Sequence, residues 1–470
     1  MESPPSRIRT LFKHSIIYGI GLFLKKAIGF FLIPLYTHQF THAQYGKLAI
    51  LYLYSGILII FFQLGLNDAF FKQFTEKNYD TKDIYSRFFF FRLFYTSLFL
   101  IIFVLFSKTI AGTLLNFGDG YLIQLATITI WIESLSTPSL LTLRIKNLSK
   151  TFVTVNTVRF ILNCAFNILF VLYFKMGVGG VMVGNLLSGI FFFFLLYPVL
   201  KNNLIKNFNW KPLKDLLKYG LPLLPLSFLL LGLDLGDRWI IKFVSGLEAT
   251  GIYTLGYQFG AVMGILVYGF RISWISFFFN NPEEKETFAH ATIIFVRLCL
   301  ILWGVLSFFT REIFNLMVAP EFVSAIPIVP VIAFSYILFG LEEIFTAGFF
   351  IKSKTSLLFP IVFISFFLNI IFNLILIPYI GIMGAAISTF LSFFIFSLVS
   401  YYIVQRFFPV KYNFRVILRD LFIGILFFFI PFIYNNHFTL RILSFIFLCV
   451  FIAWEEKIRV KRLIGEFIKK

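Results

Sequence analysis

Charged side chains interrupt long apolar stretches of this sequence, and they are the residues most able to do chemistry. An ionised group inside a membrane is costly, so it marks a pathway or binding site unless a partner neutralises it. Cationic groups there predict contact with an anionic substrate, and carboxylates predict coupling to a proton or another cation. The cations are Lys25, Lys26, Arg92, Arg159, Arg238 and Arg297. The acids are Glu133, Asp234, Asp237, Glu342 and Glu343.

The predicted substrate-binding residues are cations within the spans and polar side chains that share a helical face with a cation. Lys25 lies about halfway along the first apolar stretch, too deep for its ammonium group to reach the headgroups easily. Arg159 shares one helical face with Asn163, because steps of about four residues return to the same side. The predicted substrate-binding residues are Lys25, Lys26, Arg92, Arg159, Asn163, Arg297, Tyr257 and Tyr268.

Each of these residues also has a structural interpretation, which the sequence leaves open. Lys25 would pair with a carboxylate of another helix, and the asparagines would hydrogen-bond between helices. Arg92 and Arg297 lie about one to two turns from the predicted cytoplasmic ends of their spans, within snorkelling distance of the headgroups. Tyr257 and Tyr268 would pack inside the helical bundle.

The acids divide into a local pair and three candidates for ion coupling. Asp234 and Arg238 are four residues apart and lie on one helical face, which predicts a structural pair. That pair leaves Asp237 without an obvious partner. Asp237, Glu133 and Glu342 are therefore the predicted ion-coupling residues.

No catalytic residue, cofactor or metal site is predicted, and the chain is predicted not to be an enzyme. The sequence contains no phosphate-binding loop, dinucleotide fingerprint, zinc-protease motif or serine-hydrolase motif. Its three cysteines, Cys164, Cys299 and Cys449, have no metal-ligand spacing.

Composition shows which elements must position these residues. Of the 470 residues, 59% are hydrophobic and only 13% are charged, whereas a soluble domain has about 25% charged residues. The sequence therefore predicts an all-α polytopic membrane protein with about fourteen transmembrane helices of about 20 residues each. The predicted spans are 15–36, 48–67, 88–107, 121–142, 152–174, 178–199, 216–241, 251–273, 290–309, 324–349, 356–377, 381–403, 416–434 and 437–453.

Lysine and arginine are concentrated in alternate loops, which predicts that both termini are cytoplasmic. The formal net charge of +19 is explained by this distribution, so no nucleic-acid partner is predicted. The sequence also repeats itself at an offset of about 205 residues, as in Gly46 with Gly251 and Arg92 with Arg297. An even number of spans separates the copies. The repeat predicts an N-terminal six-helix lobe (1–200), a C-terminal six-helix lobe (201–410), and two additional helices with a basic cytoplasmic tail (411–470).

The stretch from Asp237 to Tyr253 carries a family resemblance. It begins with Asp237-Arg238, continues as an apolar run, and ends as a Gly-x-x-x-x-Gly-x-Tyr pattern at Gly246, Gly251 and Tyr253. This resembles bacterial polysaccharide-biosynthesis membrane proteins, the O-antigen-type flippases of the multidrug/oligosaccharidyl-lipid/polysaccharide exporter superfamily. Tyr45-Gly46 is similar to the first-lobe copy of the pattern.

The resemblance implies a transporter of the bacterial inner membrane. Members of this family move lipid-linked oligosaccharides, typically on undecaprenyl diphosphate, from the cytoplasmic to the outer leaflet by alternating access around a cationic cavity. The product would be O-antigen of lipopolysaccharide, capsule or exopolysaccharide. The implied partners are the lipid-linked oligosaccharide, membrane lipid, and the polysaccharide polymerase and chain-length machinery. Lys25 matches the family's tendency to place basic residues in the first helix.

Three other functions compete with this interpretation. A multidrug exporter of the same superfamily takes cationic substrates, which in-span lysines and arginines disfavour. A peptidoglycan lipid-precursor flippase also has fourteen helices, and the sequence discriminates poorly against it. A membrane polysaccharide polymerase resembles its relatives in having a sizeable external loop, whereas the external loops predicted here are short.

If Lys25 is a cavity cation, Lys25→Ala abolishes polysaccharide export while the amount of protein in the membrane stays near normal. Lys25→Arg keeps part of the export, because charge matters more than shape for a mobile diphosphate. Export and membrane protein level are both measured, and loss of the protein itself in both variants would support the structural interpretation.

Overall fold

The computed structural model describes residues 29–75, 80–206, 210, 213–433 and 437–468. Over these ranges the chain is helical and contains no β-strand. The predicted all-α fold is therefore confirmed. Helices satisfy every backbone N–H and C=O group within one segment, which is what a hydrocarbon environment demands.

The chain forms two compact units, of which the first ends at Thr254 and the second begins at Leu255. Helix α10 runs through this boundary. The helices that begin in the first unit are α1 (Ile33–Gln39), α2 (His42–Gln63), α3 (Leu66–Thr75), α4 (Thr81–Leu105), α5 (Ser107–Leu114), α6 (Gly120–Ile145), α7 (Ser149–Asn167), α8 (Gly177–Asn203), α9 (Leu213–Gly220) and α10 (Leu224–Gly260).

The second unit contains the remaining helices. They are α11 (Met263–Asn280), α12 (Lys285–Phe308), α13 (Thr310–Met317), α14 (Ile328–Phe345), α15 (Ala347–Ile351), α16 (Leu358–Ile380), α17 (Ile382–Val404), α18 (Phe414–Ile433) and α19 (Phe438–Ile468). The predicted lobe boundaries at residues 200 and 410 remain predictions.

Eleven helical stretches within the described ranges are long and apolar enough to cross a membrane. The polytopic membrane fold is thus confirmed. The count of about fourteen spans stays a prediction, because most of the first predicted span, 15–36, lies outside the described residues.

Helix α10 differs from the sequence prediction. The sequence predicts two spans, 216–241 and 251–273, joined by a loop. Instead the helix resumes directly after Gly246, whose φ of 84° is a value that glycine adopts without a steric penalty. Gly246 is therefore a kink between the two predicted spans, and a second helical break, between Gly260 and Met263, lies inside the second predicted span.

Helix α2 contacts the segment from α9 to α10 through backbone atoms near both of its ends. At one end, a Cβ atom on Gly46 would lie 1.9 Å from the Leu247 carbonyl oxygen, and one on Gly251 would lie 2.1 Å from the His42 carbonyl oxygen. Just past the other end, a Cβ atom on Gly65 would lie 2.2 Å from the Gly220 carbonyl oxygen. These contacts explain why the first part of α10 belongs to the first unit.

Aromatic packing fills the first unit around α3 and α4. The rings of Phe70 and Phe88 stack with centroids 4.6 Å apart, and both side chains are fully buried. Leu135 of α6 and Leu216 of α9 belong to the same cluster. The cluster therefore fixes α3, which carries functional candidates described below, against three other helices.

Helix α19 is attached to the second unit by a buried arginine. Nη2 of Arg441 lies 2.7 Å from Oε1 of Glu312, and its Nη1 donates to the Phe308 carbonyl oxygen at 2.9 Å. The carbonyl belongs to the last residue of α12, and Glu312 lies in α13. Arg441 thus links α19 to the end of α12 and to α13.

The glycine contacts predict the stability of two matched variants. Gly251→Ala places a methyl group where the α2 backbone lies and is expected to lower stability by about 1–3 kcal/mol, the usual cost of overpacking. Gly236→Ala, in the same helix but with no atom within 4 Å of the new Cβ, is the control. Thermal unfolding of the purified protein in detergent measures both. Equal unfolding temperatures would contradict the backbone contact.

Candidate functional site

A polar cavity of about 240 Å³ lies in the first unit. It is bounded by the end of α2, the start of α3, the end of α6 and the start of α10. The lining residues are Ile60, Gln63, Gly65, Asn67, Asp68, Phe71, Leu141, Arg144, Leu223 and Ser227. Amide, carboxylate, guanidinium and hydroxyl groups thus meet in one small space within a largely apolar protein.

A tight turn between α2 and α3 brings the polar side chains to the cavity. Leu64 and Gly65 both have positive φ values, 49° and 64°. At Gly65 the close Gly220 backbone also leaves no room for a side chain. Helix α3 begins immediately afterwards, so Asn67 and Asp68 lie in its first turn.

Arg92 holds the Asn67 amide in one orientation. The Arg92 side chain is 1% exposed, and its Nη2 donates to Oδ1 of Asn67 at 3.0 Å. Its Nη1 donates to the Ser134 carbonyl oxygen at 3.1 Å, and its guanidinium lies 4.7 Å from the centre of the Phe88 ring. Arginine only donates hydrogen bonds, so it must face the oxygen of the amide. The two N–H donors of Asn67 Nδ2 are therefore left for another acceptor.

The remaining polar groups supply both donors and acceptors. The Arg144 guanidinium lies 5.3 Å from the centre of the Phe71 ring. The Ser227 hydroxyl donates to the Leu223 carbonyl oxygen at 3.1 Å, which leaves its oxygen able to accept. Asp68 is exposed and contributes a carboxylate. The lining therefore combines hydrogen-bond donors with acceptors.

Two predicted residues, Lys25 and Lys26, lie outside the described residues. Two other predicted residues contact each other. Arg159 of α7, a predicted substrate-binding residue, forms an ion pair with Glu133 of α6, a predicted ion-coupling residue. The guanidinium of Arg159 also lies 4.6 Å from the centre of the Phe192 ring. Glu133 therefore has a cationic partner, which weakens its case as an ion-coupling residue.

The asparagine face of α7 lies in a hydrogen-bonded network. Asn163 Nδ2 donates to Asn185 Oδ1 at 2.9 Å and to Ser188 Oγ at 3.0 Å, which links α7 to α8. Tyr36 of α1 donates to Asn167 Oδ1 at 2.8 Å. These contacts agree with the interhelical role that the sequence left open for Asn163.

Arg297 is surrounded by carboxylates. Its Nε donates to Asp420 Oδ2 at 2.8 Å, Nη2 lies 3.5 Å from Glu455 Oε2, and Nη1 pairs with Glu456. Arg419 also pairs with Asp420 and with Glu455. The network joins α12 to α18 and α19, so the contacts of Arg297 favour a structural role over the predicted substrate contact.

Arg238 forms an ion pair with Asp237, its neighbour in the sequence. Nη1 of Arg238 lies 2.8 Å from Oδ1 of Asp237, and it also donates to the Asp234 backbone carbonyl oxygen at 2.8 Å. Tyr253 donates to the other carboxylate oxygen of Asp237. The expectation that Asp237 lacks a partner is therefore wrong. Asp237 is 1% exposed, and a carboxylate buried that deeply requires compensation.

The remaining predicted site residues, Glu342, Tyr257 and Tyr268, lie in the second unit. Glu342 of α14 is 4% exposed, and its electrostatic neighbours are Glu343 and Arg271, which form an ion pair at 2.8 Å. Tyr257 is buried with its hydroxyl 3.4 Å from that of Tyr336. The Tyr268 ring packs edge-on against Phe339. Both predicted tyrosines therefore make packing contacts.

Sequence reasoning missed the cavity residues Gln63, Asn67, Asp68 and Arg144. They lie where apolar spans give way to loops, and polar residues are ordinary at such places. The one available signal was Gly65 between two apolar residues, which is typical of a backbone turn.

Comparison with known proteins agrees with this architecture. A family model described as polysaccharide biosynthesis protein matches residues 40–270. A curated relative, an uncharacterized membrane protein of Methanocaldococcus jannaschii, is 30% identical over 114 residues. That match covers 24% of this chain and only 21% of the relative, so this chain spans about a fifth of that protein's length.

Solved structures share the fold over most of the chain. The lipid II flippase MurJ in an inward closed conformation superposes with a TM-score of 0.77 at 15% identity, covering 96% of this chain and 100% of that one. An inward-facing multidrug resistance MATE family transporter of the MOP superfamily gives 0.63 at 12% identity, covering 81% and 94%. A MOP superfamily transporter from Pyrococcus furiosus gives 0.59 at 12% identity, covering 84% and 95%. The family match over residues 40–270 agrees with the predicted resemblance, and the superpositions show that the chain shares the fold of these transporters.

The Arg297 network predicts a stability effect. Arg297→Met leaves several carboxylates without their cation, and breaking a buried ion pair in this way costs about 3–5 kcal/mol. Arg415→Met, which changes an exposed arginine on α18, is the matched control. Unfolding temperature and protein level in the membrane are measured. Normal stability combined with lost transport in Arg297→Met would instead support substrate contact.

Proposed function

We propose that this protein is a flippase that moves a polyprenyl-diphosphate-linked oligosaccharide from the cytoplasmic to the outer leaflet by alternating access. It would serve the synthesis of a cell-surface polysaccharide such as O-antigen, capsule or exopolysaccharide. The observation that carries this proposal is the polar cavity of the first unit, within the fold of lipid and drug transporters. The family match over residues 40–270 supports the polysaccharide assignment.

The physical task of such a protein is to move a charged, hydroxyl-rich headgroup through hydrocarbon. A diphosphate loses its hydration there, and cationic side chains offset part of that loss. Hydroxyl groups need donors and acceptors in place of water, because an unpaired polar group is costly in an apolar medium. We assign the hydroxyl contacts to the described cavity and the diphosphate contacts to Lys25, Lys26 and Arg159.

For ion coupling, Glu342 is the strongest of the three predicted residues. Asp237 and Glu133 each form an ion pair with an arginine, Arg238 and Arg159 respectively. Glu342 is buried in α14, and Arg271 beside it already pairs with Glu343. A carboxylate in that position can exchange a proton as its access to water changes. We therefore propose that Glu342 carries the coupling and that Asp237 and Glu133 are structural.

A peptidoglycan lipid-precursor flippase is the second candidate. The fold match to the lipid II flippase extends over 96% of this chain. Both candidate substrates consist of sugars on a lipid diphosphate, so the same cavity chemistry would serve either. In both cases the protein would lie in the bacterial inner membrane with its termini in the cytoplasm.

Deletion of the gene tests the proposal. Without the flippase, polyprenyl-diphosphate oligosaccharides are expected to remain on the cytoplasmic leaflet, fully assembled and unexported. The lipid-linked sugars are extracted and their leaflet is determined by accessibility to an external glycosidase or lectin.

Other outcomes would select other functions. Export of single repeat units that are never polymerised would identify a polymerase. An unchanged pool of lipid-linked sugars with lower resistance to cationic dyes would identify a drug exporter. Accumulation of the peptidoglycan precursor itself would identify the second candidate.

A further inference from the structure

We infer that the cavity at Asn67, Asp68 and Arg144 is a subsite for one uncharged sugar ring of the headgroup, and not the site of its diphosphate. This inference rests on the proposed function and deepens it. It divides the headgroup between two places in the protein, with the sugar contacts in the first unit at the turn between α2 and α3.

The charges in the cavity favour a neutral ligand. Arg144 brings one positive charge and Asp68 one negative charge to the lining, while Gln63, Asn67 and Ser227 are neutral. A diphosphate carries at least two negative charges, and Asp68 would repel them at short range. A sugar hydroxyl donates to a carboxylate and accepts from a guanidinium, so both charged groups bind it favourably.

The hydrogen-bonding groups are complementary to adjacent hydroxyl groups. The Asn67 amide presents two N–H donors, because Arg92 occupies its oxygen at 3.0 Å. The oxygens of Asp68 and Ser227 accept, and Phe71 supplies an aromatic ring beside Arg144. A hydroxyl needs one donor and one acceptor to be satisfied, and this lining offers both.

The size of the cavity limits the ligand to one ring. Pockets for drug-sized molecules have volumes of about 300–1,000 Å³, and this one measures about 240 Å³. That space suits a single monosaccharide unit. The rest of the headgroup must therefore lie outside the cavity.

Arg92 acts on the sugar through Asn67 and is a positioning residue. Its guanidinium is buried and donates to Asn67, which lines the cavity, whereas Arg92 is not a lining residue. Removing it frees the Asn67 amide to rotate, so the oxygen can point into the cavity and the donors are lost. Arg92→Lys retains the charge but not the rigid two-way contact with Asn67 and the Ser134 carbonyl.

The test compares two short-chain polyprenyl diphosphates, one carrying a single hexose and one without sugar. Their affinities are measured for the full-length protein in lipid nanodiscs. Asn67→Ala and Asp68→Asn are each expected to weaken binding of the hexose-bearing lipid about tenfold, the effect of one lost hydrogen bond. Affinity for the sugar-free lipid is expected to stay unchanged. Asp215→Asn makes the same charge change at an exposed position on α9 and is the control.

Asp68→Asn separates the two kinds of ligand by the direction of its effect. In a diphosphate site, removal of the carboxylate strengthens binding of the sugar-free lipid, and that result would overturn the inference. Unchanged binding of both lipids by both variants would also overturn it. If the unmodified protein binds neither lipid, the proposed function itself fails.

A double-mutant cycle tests the role of Arg92. Arg92→Lys is expected to cause the same sugar-dependent loss as Asn67→Ala, and the double variant no more than either single one, because both act through one amide. A general structural effect of Arg92 would lower affinity for both lipids and add to the Asn67 effect. That additive result would remove Arg92 from the proposal.

Discussion

Buried guanidinium groups impose the constraint on which much of this fold depends. A charge buried in an apolar interior is strongly destabilising unless it is paired and hydrogen-bonded. Each buried arginine of the described residues has such a partner, and most partners lie on other helices. The pairs are Arg87 with Asp83, Arg92 with Asn67, Arg238 with Asp237, Arg297 with Asp420, and Arg441 with Glu312. Apolar side chains pack against lipid and protein alike, whereas the pairs of Arg92, Arg297 and Arg441 specify which helices must meet.

The sequence predicts the positions of these charges but not their partners. Arg92 and Arg297 stand out because they interrupt apolar runs, and their equivalence follows from the repeat. Their partners are 25 and 123 residues away in the chain, and no local spacing encodes such contacts. Asp234 illustrates the same limit at short range. Helical spacing favours it as a partner of Arg238, but it gives no sign that the more deeply buried carboxylate of Asp237 pairs with the same arginine.

The cavity was not predicted from the sequence, for a different reason. Its polar groups, Gln63, Asn67, Asp68 and Arg144, belong to residue types that are common wherever a span ends at the membrane surface. Their convergence depends on a backbone turn at Gly65 and on its contact with Gly220, more than 150 residues later. Near the other end of α2, Gly46 contacts Gly251 of α10, and the sequence repeat predicts that these two glycines are equivalent. The pattern could show that both are glycine, but only the structure shows that each faces the other's helix.

Arg92 and Arg297, which the sequence repeat predicts to be equivalent, have different surroundings. Arg92 lies against a neutral amide and a backbone carbonyl, so its charge is held without a carboxylate. Arg297 lies among carboxylates supplied by α18 and α19, helices that follow the second copy of the repeat. The additional helices therefore neutralise the second arginine and leave the first to orient Asn67. Arg297 is thus part of an interhelical ion-pair network, whereas Arg92 donates to a residue that lines the polar cavity.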